Sequence, residues 1–113
     1  MAVLKNITTG EIIAANVERA NGFWRRLVGF ITQSNVQPDD GLWYDNCSAI
    51  HTMGMKERID VVFLDKNRRV MRVERAIPRY RVAMTYGARA VIELGEATLQ
   101  GRDLLAGDEL ALE

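Results

Sequence analysis

Cysteine, histidine and proline are nearly missing from this chain of 113 residues, which has one Cys, one His and two Pro. A single thiol cannot close an internal disulfide, and that usage fits a reducing compartment. One His and one Cys also leave too few nitrogen and sulfur ligands for a zinc site, which takes three or four. Charge of either sign is not in excess, with 15 Lys and Arg against 15 Asp and Glu. A dedicated nucleic-acid binder normally carries a basic surplus. No apolar run reaches the length of a spanning helix. The opening MAVLKNITTGEIIAANV has no charged leader followed by an apolar stretch, so no signal peptide is read there. A Gly-rich phosphate loop, a Gly-x-Ser-x-Gly elbow and a Cys-x-x-Cys pair are all lacking, which leaves nucleotide hydrolysis and thiol redox chemistry without sequence support.

The remainder is an ordinary globular composition, 48% hydrophobic and 27% charged. The length suits one domain over residues 1–113, able to bury roughly two-thirds of its unfolded surface without a staple. A bacterial cytoplasmic protein, with no membrane association, is the expectation.

Residues 2–18 read as a hairpin turned at Thr8-Thr9-Gly10-Glu11, where Gly10 can take a positive φ. Residues 18–33 read as a helix, because Ala20, Phe23, Trp24, Leu27, Phe30 and Ile31 recur at three- and four-residue spacing. Residues 42–54 read as extended, with Leu42 and Tyr44 on one face and Trp43 on the other. The run IDVVFL over 59–64 reads as a strand buried on both faces. A turn at Asp65-Lys66-Asn67-Arg68 returns the chain as a strand from Val70 to Val73, and Pro78 closes that hairpin. Residues 89–94 read as a strand, 96–104 as a turn or short helix, and Glu109 to Leu112 as the last strand. The sum is a mostly β (α+β) fold: about six or seven short strands in a small barrel-like antiparallel or mixed sheet, with one packed helix.

The chemistry concentrates between Cys47 and Asp65, CSAIHTMGMKERIDVVFLD. Cys47 and His51 stand four residues apart, about 13 Å on a regular strand, which excludes a dyad needing contact near 3 Å. Cys47 therefore reads as structural. His51, Met53 and Met55 alternate on one strand face, a donor set suited to copper(I), yet about 6.6 Å separates neighbours on such a face. No metal and no cofactor is expected. Arg26, His51, Asp60 and Glu93 come from four separate elements, each in or beside an apolar pattern. Charged residues are rarely buried unless paired, so if these four meet, Arg26 would neutralise Asp60 or Glu93 and His51 could donate or accept. Such a cluster can hold a small polar ligand or an anion, or can do acid–base work. The competing reading is a structural network pinning the helix to the sheet. From Lys66 to Arg81 there are seven basic residues, among them Arg68, Arg69, Arg72, Arg79 and Arg81, with Tyr80 between the last two. A basic β-ribbon can track phosphates, whereas a solvated edge uses the same charges to deter sheet pairing.

Six segments stand in order along the chain: Arg26-Leu27-Val28-Gly29-Phe30, Gly41-Leu42, Ile50-His51-Thr52-Met53-Gly54-Met55, Ile59 to Asp65, Val91-Ile92-Glu93-Leu94 and Ala106-Gly107-Asp108. Through them the chain resembles, from about Ala20 to Leu110, the bacterial and archaeal domain of unknown function family 192. Phe30 stands where Leu is usual, and Gly95-Glu96-Ala97 replaces an Ala-Gly pair. The resemblance implies a small β-rich fold and no agreed chemistry.

Three readings follow. The first is a non-catalytic binding or accessory module for a small polar ligand or a protein partner, using Arg26, His51, Asp60 and Glu93. The second is an acid–base enzyme using the same cluster. The third is a nucleic-acid-binding regulator, which requires the arginines of 66–81 to line one exposed face.

Overall fold

The computed structural model describes residues 2–20, 38–51, 58–78 and 81–113. Among them are nine strands: β1 (Ala2–Asn6), β2 (Ile12–Arg19), β3 (Asp40–Asp45), β4 (Ala49–His51), β5 (Ile59–Leu64), β6 (Val70–Ile77), β7 (Val82–Met84), β8 (Ala90–Gly95) and β9 (Leu110–Leu112). Seven form a mixed sheet in the order β6-β5-β8-β3-β2-β1-β9, and β4 pairs with β7 in a separate two-stranded ribbon. The sheet is not closed. Its two edge strands approach each other at one isolated bridge, Arg69 with Glu109.

The expected mixed sheet of six or seven strands is found, with seven strands, but it is open rather than barrel-like, and a two-stranded ribbon stands beside it. The ribbon was missed because three-residue strands carry too little alternation to be recognised. The helix expected over 18–33 is corrected at its start. Glu18 and Arg19 are the end of β2, held by parallel pairing to Leu42 and Trp43 of β3, and this ladder outweighs the local helical spacing. The rest of that expected helix lies outside the described residues.

The first hairpin forms where the turn residues place it. Gly10 has φ +81°, and the Asn6 side-chain oxygen accepts the Thr8 and Thr9 amides. Asn6 also donates to Asp108 at 3.0 Å, tying this turn to the one before β9. Gly41 is fixed by close approach, since a Cβ there would lie 2.7 Å from the Leu94 side chain and 3.2 Å from Val17. β3 can sit between β2 and β8 only with no side chain at that position.

β5 and β8 are buried along their whole length. Period-two alternation splits their side chains between two cores. Trp43, Val62, Leu64, Ile92 and Leu94 join Leu4, Ile13, Val17, Leu99 and Leu110 on one side of the sheet, the inner face. Leu42, Tyr44, Ile59, Val61, Phe63 and Val91 face the other way and pack against Ile50 of β4 and Ala83 of β7. Leu42 and Tyr44 on one face and Trp43 on the other is the arrangement expected from sequence.

Candidate functional site

Two carboxylates lie inside this double core, Asp60 at 2% exposure and Glu93 at 6%. Register decides where they point. Asp60 pairs with Leu94 and Glu93 with Val61, so Asp60 shares the inner face with Val62 and Leu64, and Glu93 shares the outer face with Val61 and Val91. Of the four candidates Arg26, His51, Asp60 and Glu93, the two acids do not meet: the sheet itself separates them. One residue of offset between adjacent strands places side chains on opposite faces, and a count of polar residues per strand does not reveal it.

Asp60 sits opposite a bulge. β6 carries an extra residue between its pairings to Ile59 and Val61, and Ala76 there adopts φ +53°. Such a bulge frees a backbone amide from the ladder. Asp60 accepts it, from Ala76 N at 2.8 Å, and its other oxygen accepts Leu99 N at 3.0 Å. Arg75 from the same bulge donates to the carbonyls of Leu99 and Arg102. Asp60 thus pins β6 to the turn after β8.

Glu93 is held differently. Its cross-strand neighbours are Leu42 and Val61, both apolar. Among the described residues its hydrogen-bond partner is the Tyr44 hydroxyl, at 3.4 Å. Burial pushes the Glu93 carboxyl up to about 7, against a smaller downward pull from Tyr44. Near neutral pH this group can therefore exchange a proton, and either form can engage a donor brought to it. Tyr44 was not among the expected site residues, although its place beside Leu42 on one strand face was the available clue.

The backbone of His51 ends β4, paired with Val82. The β4–β7 ribbon packs through Ile50 and Ala83 on the outer face, so His51 belongs to the same side of the sheet as Glu93. Arg26 lies outside the described residues. Cys47 is half-buried, and its thiol donates to the Ala49 carbonyl at 3.1 Å.

The arginines of the second hairpin do not gather on one face. Arg68, at φ +62° in the turn, lies over the Trp43 ring. Arg69 donates to the Gly107 carbonyl and faces Glu109. Arg72 pairs with Glu74, stacks on Phe63 and donates to the Met84 carbonyl. Two bulges in β6 turn these residues in different directions. Arg81 also has a partner, and Arg79 lies outside the described residues. The single basic face that the nucleic-acid reading requires is not what the described arginines form.

At the end of β3, Arg19 stacks on Trp43 from β2 and pairs with Asp45. Burial pushes Asp45 up, but bonds from Trp43 and Arg19 outweigh it and hold this carboxyl below its ordinary range.

Fold and site define a small mixed-sheet β domain with a separate ribbon laid over the face that carries a buried acid. Residues 4–112 match the sequence profile of domain of unknown function family 192, described as "Uncharacterized ACR", and the chain belongs to that family. It is similar to a UPF0127 protein of Thermococcus sibiricus, 29% identical over 118 residues that span 98% of this chain and 75% of that protein. Two solved structures share the fold at 17% identity. A protein of unknown function from Novosphingobium aromaticivorans has a TM-score of 0.81, covering 98% of this chain and 84% of the other. A putative transcription regulator from Sinorhizobium meliloti has a TM-score of 0.80, covering 98% and 91%. Among the described residues no helix is long and apolar enough to cross a membrane.

Proposed function

We propose that this chain is a single non-catalytic binding domain that holds a small polar ligand against Glu93 and Tyr44 on the outer face of the sheet. One observation carries the reading. Glu93 is 6% exposed between apolar neighbours, and its bond from Tyr44 is long at 3.4 Å. Buried acids ordinarily have shorter and more numerous partners, as Asp60 does. A ligand bringing an amine or hydroxyl donor would supply what the described residues do not bring to Glu93. The backbone of His51 ends β4 on the same side of the sheet. The lone cysteine supports a cytoplasmic setting.

The test is a panel of small amines, amino acids and polyols, screened by differential scanning fluorimetry at pH 6 and pH 8. A true ligand raises the Tm of the native protein and leaves that of Glu93→Gln unmoved. A panel that shifts neither protein, or shifts both alike, removes the reading.

Acid–base catalysis remains the second reading, on one observation: a carboxyl poised near 7 suits general acid or base work at neutral pH. Turnover of a hit from the panel, lost in Glu93→Gln while binding is kept, would move the assignment there.

A further inference from the structure

The rim of the inner face gathers two cations on one ring. Arg19 of β2 lies 5.5 Å from the centroid of the Trp43 ring, and Arg68 lies 5.9 Å from it. They reach it from different parts of the sheet. Arg19 is the parallel partner of Trp43 on the adjacent strand. Arg68 belongs to the turn between β5 and β6, with β8 standing between β5 and β3. That turn is fixed. Asp65 accepts the Asn67 and Arg69 amides at 2.8 and 3.0 Å, its carbonyl accepts Arg68 N, and the Arg68 carbonyl accepts Leu110 N. The ring itself is wholly buried. Both arginines reach solvent, with 35% of the Arg19 side chain open to it and Arg68 exposed.

One carboxylate balances these two cations, and both of its oxygens are engaged. One oxygen of Asp45 accepts the indole N–H of Trp43 at 2.9 Å, and the other accepts Arg19. The arginines that follow in the chain are bonded as well, Arg69 to the Gly107 carbonyl and Arg72 to Glu74. Among the described residues the Arg68 guanidinium has neither a carboxylate nor a carbonyl bonded to it, and what it touches is the face of Trp43. A guanidinium stacked on an indole keeps the edge of its fork open for two parallel N–H bonds. Arg68 and Arg19 also repel each other, and an anion placed against Arg68 relieves that repulsion.

We propose that Arg68, presented on Trp43 beside the Arg19–Asp45 pair, binds the carboxylate of a small organic acid at the rim of the inner face. Charge selects the ligand. Two guanidiniums against one carboxylate leave one positive charge unbalanced, which a monoanion neutralises. A dianion such as a phosphate monoester would bring its second charge against Asp45. The planar carboxylate also matches the planar fork of the guanidinium. Trp43 and the fixed turn hold that fork in place before the ligand arrives, which lowers the ordering cost of binding. The site lies across the sheet from Glu93 and takes an acceptor where Glu93 takes a donor, so neither depends on the other.

The experiment is an NMR titration of the whole chain, following the arginine side-chain Nε–H signals at constant ionic strength in chloride. The probes are acetate, benzoate, inorganic phosphate and ethylammonium. Acetate and benzoate are expected to move the Arg68 signal saturably, with a Kd of about a millimolar for one exposed fork. Ethylammonium leaves it in place. Arg68→Gln weakens carboxylate binding about fivefold or more, read on the Arg19 signal. Asp45→Asn removes the competing anion and tightens binding about threefold. Lys66→Gln deletes an exposed charge from the same turn and leaves the affinity unchanged. All three positions are at least partly exposed, so the variants keep the native circular dichroism. The proposal is overturned if neither carboxylate moves the Arg68 signal, or if phosphate binds more tightly than both. It is overturned also if Lys66→Gln weakens binding as much as Arg68→Gln, or if Asp45→Asn weakens it.

Discussion

Asp60 and Glu93 are the same chemistry in two settings, on adjacent strands of one sheet and on its opposite faces. Both are almost wholly buried. Asp60 takes two backbone amides at 2.8 and 3.0 Å, donors that a bulge and a turn would otherwise leave unmet. Among the described residues Glu93 takes one hydroxyl, at 3.4 Å. Two short amide bonds offset much of the cost of burying a carboxylate, and one long bond does not. The difference lies in how far the surroundings satisfy each acid: Asp60 completes the backbone of a bulge and a turn, whereas Glu93 is buried between apolar neighbours.

Removing Asp60 should do the most damage. Asp60→Ala leaves the amides of Ala76 and Leu99 unpaired inside the core and frees the bulge from the turn. A loss of about 3–4 kcal/mol is expected, read as a lowered urea midpoint. A loss under about 1 kcal/mol would break the contrast, because Asp60 would then be no more structural than a surface acid.

Removing the charge of Glu93 should act in the opposite direction, and only where that charge exists. Its folded value of about 7 lies above the ordinary 4.5. The folded state therefore binds the proton more tightly than the unfolded chain does. The associated stability is fully present below pH 4.5 and is lost as pH rises through 7. A displacement of that size corresponds to roughly 3 kcal/mol at its upper limit. Glu93→Gln, a neutral near-isostere, should match the native protein at pH 4 and exceed it at pH 8 by up to that amount. Equal stability of the two proteins across pH 4 to 9 would show that Glu93 is as well satisfied as Asp60.

The sequence shows both acids as interruptions of apolar strands and cannot say which face each occupies. The buried double-faced strand at 59–64, the Gly10 turn and the opposite orientations of Tyr44 and Trp43 all follow from local periodicity and turn chemistry, and all are found. Facing depends on register between strands distant in sequence. β5 pairs with β8, about thirty residues away, and a slip of one residue would bring both acids onto one face. The bulges of β6 are equally illegible, since Ala76 at positive φ is not a residue that announces one. For that reason the arginine run looks like one basic stripe in sequence, whereas its described members turn to different faces. The ribbon escapes notice because its strands are three residues long and gain their place by packing on the sheet.

Tyr44→Phe gives the smallest effect and the finest test. The substitution deletes only the hydroxyl, keeping the ring that fills the outer core beside Leu42. The hydroxyl pulls the Glu93 value down, so its loss should raise that value further, visible as an upward shift in a carboxyl carbon titration by NMR. Stability at pH 4 should change by less than about 1 kcal/mol, because a protonated Glu93 gains little from a 3.4 Å contact. At pH 8 the variant should be the less stable of the two, since an ionised Glu93 has then lost its partner among the described residues. If the titration does not move, Tyr44 and Glu93 do not share a bond in solution, and burial alone sets the Glu93 value.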